Sequence, residues 1–552
     1  MDIATFEPAN QVDRDRLMGH CQDFARWVKL SGSPDELASM KEVQAKIANY
    51  GYRTKLILHD AYISLPGTAR VVVDGVDLTA ITHSFSRPSP EGGLSAPLAY
   101  LGEGTDVDFA GRDVRGCIVM VEGIASPAVA VRAARAGAVG QLHISPHEHL
   151  HEMCISPVWG SPSLQTLGDL PTTVTCTISD ADGGKLRDRL AAGEAPAVTL
   201  HATVDTGWRK TPILQADLDG PEPNGPFVLF SGHHDTWYYG VMDNGSANAT
   251  MLETARLLAL GQQSWRRGVR FCFWSGHSHG RYSGSAWYVD NHWAELERRC
   301  AVHVNVDSTG GIGASVMTEG AVASELAALA AGVVKAETNA EHEGRRVGRN
   351  SDMSFWGVGI PTLFGSLSHQ PPSPVKMRNP LGWWWHTPHD LLDKIDPDNL
   401  ARDTRVFVSA LWRLVTDARL PMNYDDHATA LQAELGKLTA ALGDRMDLSD
   451  LVAATTALQR TAAAVKGEDT AVNNALMAAS RALVPVDYTA GDRFSHDPAL
   501  PQKPWPVMEP IRTLAAAKSN DDIRFARVEA VRARNRMVNA VQAATRALAK
   551  VA

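Results

Sequence analysis

The chain has 552 residues, which at roughly 100–200 residues per domain predicts about three domains. Apolar residues make up 44% and charged residues 21%, a composition that excludes a disordered, collagen-like or coiled-coil chain. The net charge of −9 argues against binding nucleic acid through a general basic face. No apolar run approaches the roughly 20 residues of a membrane helix. The start, Met1-Asp2-Ile3-Ala4, lacks the basic-then-apolar order of a secretory signal. Cys21, Cys117, Cys154, Cys176, Cys272 and Cys300 form no CxxC pair, which suits reduced thiols. A cytoplasmic chain with neither membrane nor nucleic-acid partner is therefore expected.

In chain order, Leu17, Cys21, Phe24, Trp27 and Val28 recur at helical spacing and predict a helix over 12–30. A second helix is predicted from about Pro34 to near Gly51. Strand-like runs follow at Lys55–Leu58 and Ala69–Val73. Residues 62–205 read as a separate β/α insert, with a buried strand at Cys117–Val121, an Ala/Val helix at Pro127–Ala136 and a strand at Ala138–Ile144. Beyond it, strands at Phe227–Gly232, Val269–Trp274 and Ala301–Val306 alternate with helices, including one near Ser246–Leu260. That alternation predicts a parallel sheet whose chemistry sits past the carboxyl ends of its strands. From about 425 the pattern turns helical, over 425–483 and 509–550, around a proline-rich stretch from Asp497 to Pro510.

Metal-ligand residue types stand where those strands end. Phe227–Gly232 is followed by His233-His234-Asp235, Phe271–Gly276 by His277-Ser278-His279, and Ala301–Val306 by Asp307. Asp243-Asn244-Gly245 opens the helix after the first of these strands, and His386-Thr387-Pro388-His389-Asp390 follows a triple tryptophan.

In these motifs the chain resembles the co-catalytic zinc aminopeptidase and glutamate carboxypeptidase family. The likeness covers about 212–418. It includes His233 and Asp243 at the family's spacing, Trp274-Ser275-Gly276 with Gly284-Ser285, Asn305-Val306-Asp307, Ser351-Asp352 with Gly359-Ile360-Pro361-Thr362, and His386 to Asp390. The resemblance implies an α/β fold, with a mostly parallel mixed sheet flanked by helices as in zinc exopeptidases. It also implies a β/α protease-associated insert and a helical C-terminal domain that dimerises. The expected domains are 1–61 with 206–420 for the metallohydrolase, 62–205 for the insert and 421–552 for the helical part.

The resemblance also implies roles. Asp243 resembles the carboxylate that bridges two metals, His233 and Asp307 the other ligands of one metal, and His386 a ligand of the second. Asp235 is expected to orient His233, directly or through the backbone, and Asp390 to do the same near His386. The chain departs from the family where paired glutamates supply the general base and a ligand. His277 and Ser278 stand there, followed by His279. In an extended segment His277 and His279 face one side. One then serves as ligand and the other as general base, or both bind a single metal with His386. Zinc is the implied metal, as one or two ions. Histidine-rich ligation also admits iron, nickel and copper, and manganese stays open.

Three further features invite a functional reading. His147, His149 and His151 suggest a metal site or a lid reaching in from the insert. Trp385, with Trp383 and Trp384, can wall a pocket. Arg345, Arg346 and Arg349, just before Ser351, can hold a substrate carboxylate by bidentate pairing. The expected protein is a metal-dependent hydrolase that cleaves an amide or peptide bond of a small molecule or short peptide by metal-activated water. The alternatives are a non-hydrolytic reaction on the same fold, as in glutaminyl cyclases, and a receptor-like binding protein. Homodimerisation through the helical tail is expected by analogy.

Overall fold

The computed structural model describes residues 6–317, 320–344, 346, 348–373 and 380–552; Arg345 falls outside them. The described strands are β1 (Arg53–Val73), β2 (Val76–Thr79), β3 (Ile81–Thr82), β4 (Leu94–Ala96), β5 (Leu98–Tyr100), β6 (Ile118–Glu122), β7 (Gly140–Ile144), β8 (Val174–Ile178), β9 (Val198–Leu218), β10 (Phe227–His233), β11 (Gly268–Trp274), β12 (Cys300–Asn305) and β13 (Thr362–Leu363). They form a large mixed sheet in the order β13-β12-β10-β11-β9-β1-β2, with β4 also on β9, and a smaller one in the order β3-β8-β7-β6-β5. The four strands nearest the candidate site, β13, β12, β10 and β11, run parallel. β9 turns the sheet antiparallel against β11, and β1 continues that sense.

Strands β10, β11 and β12 are buried along their whole length. They read as unbroken apolar runs because helices cover both faces of a parallel sheet. β10 lies between β11 and β12, so the chain leaves it to one side through helix Ala247–Leu260 and later returns to the other. Loops diverge at such a reversal, and the crevice between them is where α/β sheets bind ligands.

Two expected elements differ. The helix expected over 12–30 ends earlier, at Arg14–Phe24. The residues after it turn inward, where the Lys29 carbonyl accepts from the Thr236 N–H at 2.8 Å. The separate strands expected at 55–58 and 69–73 are one strand, β1, paired with β9 from Arg53↔Asp217 to Val73↔Val198 with one irregularity between Pro66 and Ala69. This ribbon runs unbroken through residues 61–62 and 205–206, so the large sheet passes continuously into the segment that carries the small one.

The C-terminal part consists of helices Tyr424–Leu442, Ser449–Ala463, Asp469–Tyr488, Glu509–Ala516 and Asn520–Leu548. Leu431, Leu435, Leu438 and Leu442 line the buried face of the first at helical spacing. No described helix is long and apolar enough to cross a membrane. All six cysteines are unpaired.

Candidate metal centre

His233 ends β10, and its Nδ1–H donates to the Asp235 carbonyl at 2.8 Å. His386 donates its Nδ1–H to the Glu152 carbonyl at 2.6 Å. Each ring therefore has its Nδ1 proton committed to the backbone and its Nε2 lone pair free, the tautomer a metal ligand needs. Both Nε2 atoms face one side chain, with Asp243 Oδ1 at 3.0 Å from His233 and Asp243 Oδ2 at 3.0 Å from His386. Asp307 Oδ2 stands 3.9 Å from His233 Nε2.

Asp243 is aimed from behind. Its backbone N–H donates to Asp390 Oδ2 at 3.0 Å, and the Met242 N–H donates to Asp390 Oδ1 at 2.9 Å. Asp390 thus orients Asp243, where the sequence reading had placed it beside His386. The residue that orients His386 is Glu152, contributed by the segment between β7 and β8. Asn244 ties the strand ends together, donating to the His233 and Val306 carbonyls and accepting from the Ser308 N–H. Ser351 Oγ donates to Asp307 Oδ2 at 2.9 Å, which leaves Asp307 less free to rotate.

His277 lies flat against His233, with ring centroids 3.7 Å apart. Its Nδ1–H donates to Asp352 Oδ2 at 2.8 Å. Burial works against the charge of Asp352, but the His277 and His233 rings and the Ser285 hydroxyl hold its pKa below the usual carboxylate value. One ligand atom each of His233, His277 and Asp307 lies within 4.8 Å of the others. The pairing of Asp352 with His277 was not read from the sequence, because 75 positions separate the two.

His279 sits elsewhere. Its Nδ1 accepts from the Ser31 N–H at 3.4 Å, and Trp237 packs over its ring. Burial pushes its pKa down to about 3, so it is neutral. Asp235 lies beneath the loop after β11, accepting from the Ser31 hydroxyl and from the N–H groups of His277 and Ser278. The Ser278 hydroxyl is buried without a hydrogen-bond partner. Arg349 turns away from these groups: its Nη2 donates to the Asp497 and Pro498 carbonyls, and its guanidinium lies 4.5 Å from the Trp159 ring centroid. Arg346 stacks between Tyr488 and Trp505. Trp385 stacks on His386 at 3.5 Å. His151 donates to the Trp385 carbonyl, and His149 stacks on Trp383. Among the described residues His147, His149 and His151 do not converge as a three-ligand metal cluster.

A cavity of about 210 Å³ opens onto Asp243, His277, Asp307, Trp385 and His386. A larger cleft of about 480 Å³, beside Arg135, Trp159 and Phe494, includes none of them. The donor set fits a metal ion. His233 Nε2 and Asp243 Oδ1 are buried at ion-pair distance, yet neither makes an aligned hydrogen bond. Burial opposes a charge on His233, but the surrounding carboxylates of Asp243, Asp307 and Asp235 push its pKa up to about 10. So negative a cluster calls for a cation, a proton or a metal.

Beneath the site lies a buried cation. Lys29 is fully enclosed, with its Nζ 3.4 Å from the Tyr239 carbonyl. Burial lowers its pKa to about 8, against the opposing charges of Asp390, Glu36 and Asp235. Between about pH 8 and 10.5 the unfolded chain holds this proton and the folded one does not, so stability rises with pH there by about 3 kcal/mol. Lys29→Met should lack that rise. The stability of the variant relative to the parent, measured by denaturant titration, should fall by about 3 kcal/mol across that window. A constant difference would show that Lys29 is not depressed.

A sheet reversal with histidines and carboxylates at its carboxyl ends is an α/β site with the donor types of a metal centre. Residues 214–411 match the model of peptidase family M28. The chain is 25% identical over 386 residues to the probable glutamate carboxypeptidase LAMP1 of Arabidopsis thaliana, a match spanning 62% of this chain and 54% of the relative. It is 26% identical over 364 residues to aminopeptidase YwaD of Bacillus subtilis, spanning 63% and 73%. The chain spans about half the length of two plant relatives named as probable glutamate carboxypeptidases, LAMP1 of Arabidopsis thaliana and VP8 of Zea mays, at 54% and 49%. Among solved structures, the zinc aminopeptidase BSAP of Bacillus subtilis superposes with a TM-score of 0.56 at 20% identity, covering 74% of this chain and 96% of that one. An M28 peptidase precursor of Shewanella amazonensis SB2B gives 0.59 at 19% identity, covering 74% and 95%. These likenesses show the fold.

Proposed function

We propose that the chain is a metal-dependent hydrolase cleaving an amide or peptide bond of a small or short-peptide substrate. The observation that carries this reading is the convergence of the free Nε2 atoms of His233 and His386 on the two oxygens of Asp243. The M28 match and the aminopeptidase and carboxypeptidase relatives support it. Zinc is the proposed metal, held by His233, Asp243 and Asp307, with Asp243 and His386 available to a second ion. When bound it would polarise the substrate carbonyl and acidify the attacking water.

The protein's own groups supply the rest. His277 has its Nδ1 proton fixed on Asp352, so its Nε2 can take a proton from water and return it to the leaving amine. Asp352 holds that tautomer and steadies the ring once it is charged. Ser278 stands where the family resemblance places a second glutamate, and a hydroxyl neutralises no metal charge. The His386 side therefore has one shared carboxylate where two dications would need more. We further read residues 62–205 as a protease-associated insert and 421–552 as a dimerising domain of a cytoplasmic protein.

Metal analysis of untagged protein, followed by assay on short peptides and N-acyl amino acids, tests the reading. About one tightly held zinc per chain is expected, with a second ion lost on dialysis. Chelation should abolish hydrolysis and added zinc restore it. Full activity in metal-free protein would sink the proposal.

A further inference from the structure

Arg281 is the only lysine or arginine among the described residues lining the 210 Å³ cavity that holds His277, Asp243, Asp307 and His386. No described carboxylate lies within ion-pair distance of its guanidinium, its Nη2 makes one long hydrogen bond of 3.3 Å to the Ala499 carbonyl, and its Nε is buried without a partner. The ring of Tyr282, 5.0 Å from the guanidinium carbon, supplies a soft wall and no counter-charge. A partly buried cation of this kind is costly unless an anion meets it, and a guanidinium fork suits a carboxylate.

The backbone holds Arg281 firmly in place. Arg281 and Tyr282 both lie in the left-handed region, at φ +49 and +70. Contacts from two distant parts of the chain hold them there. The Gly160 N–H donates to the Arg281 carbonyl at 2.6 Å, and Ala499 receives the side chain. Arg281 also belongs to the loop that carries His277, so the groups proposed to take the proton and to hold the substrate share one rigid turn.

We infer that Arg281 is the specificity-determining residue of this site and that it binds a carboxylate on the substrate, next to the amide that is cleaved. N-acyl amino acids and short peptides with a free C-terminus carry such a group; their carboxamides do not. The small cavity favours one residue-sized group over a long chain, since ligand pockets commonly run to about 300–1,000 Å³. The role that the sequence suggested for Arg349 thus passes to Arg281. The inference rests on the hydrolase reading for where the substrate lies.

Calorimetric titration of the zinc-loaded protein with an N-acetyl amino acid, and separately with its carboxamide, tests this without requiring turnover. The parent should bind the carboxylate roughly 10–100-fold more tightly, the strength of a charge-assisted hydrogen-bonded pair. Arg281→Met should erase that preference, and Arg281→Lys should keep part of it, which separates lost charge from a disturbed loop. For cleaved substrates the loss should fall mainly in KM. Equal binding of the two compounds by the parent, or an equal loss of both in Arg281→Met, overturns the assignment. A protein that prefers the carboxylate through Arg281 yet cleaves nothing would overturn the hydrolase reading and leave this one standing.

Discussion

Asp243→Asn should reduce turnover by roughly a thousandfold or more and leave the purified chain depleted of metal. The estimate starts from the fact that groups merely supporting a metal ligand are worth about 10–100-fold. Asp243 places one oxygen against each of two histidines, so its loss acts on both sides of the site. The amide is the right size and should not unfold the protein. Its NH₂ can donate to His386 Nε2, which is an acceptor because the Nδ1 proton of that ring is on Glu152. What the amide lacks is the negative charge and the second lone-pair oxygen. Metal per chain, melting temperature and turnover measured together check this. A variant that keeps both its metal and its activity would remove Asp243 from the site.

His277→Ala should lower kcat by about 10²–10⁴-fold, the usual worth of a positioned acid–base group, with the tightly bound metal still in place. Asp352→Asn should approach the same loss. Its NH₂ would face the proton that His277 now donates, and the ring would answer by taking its other tautomer, with Nδ1 accepting and the proton on Nε2, where it blocks acceptance. Because the two act as one unit, the double variant should be little worse than the worse single. Kinetics alone cannot separate a base from a ligand, so metal content is the second readout. If the metal leaves with His277, that residue is a ligand, as its closeness to His233 and Asp307 allows, and the base must be sought elsewhere.

The strand-end residues were legible in the sequence because β10, β11 and β12 are fully buried apolar runs. The first histidine or aspartate after such a run marks where the strand leaves the core. The His277/His279 pair was only half legible. Alternation puts i and i+2 on one side of an extended segment, but Gly276, Arg281 and Tyr282 all adopt positive φ, so this stretch is a tight loop. That turn sends His279 to Ser31 and keeps His277 in the cavity. Arg349 was misread for another reason. A long basic side chain takes its partners from the tertiary structure, and its acceptors lie some 150 positions away, with separations of 148 and 149. Glu152 left no trace in the sequence, because it acts through its backbone carbonyl, which every residue has. The ribbon of β1 and β9 was hidden as well, since much of its length alternates exposed and half-buried residues, and only Lys55–Leu58 and Ala69–Val73 stand out as strand-like.

That ribbon decides what kind of unit the small sheet is. Val73 and Val198 face each other at the last rung, so the chain departs and returns about 5 Å apart. A short reverse turn could splice those ends, and the whole segment could be cut out or exchanged for a foreign one without severing the larger sheet. The spliced protein would keep its ligand-bearing strands, but His386 would lose the carbonyl that holds its proton and Arg281 the amide that fixes its loop. The segment is thus topologically a passenger and chemically part of the wall. Any lineage that shed it would have to rebuild two contacts on the far side of the site.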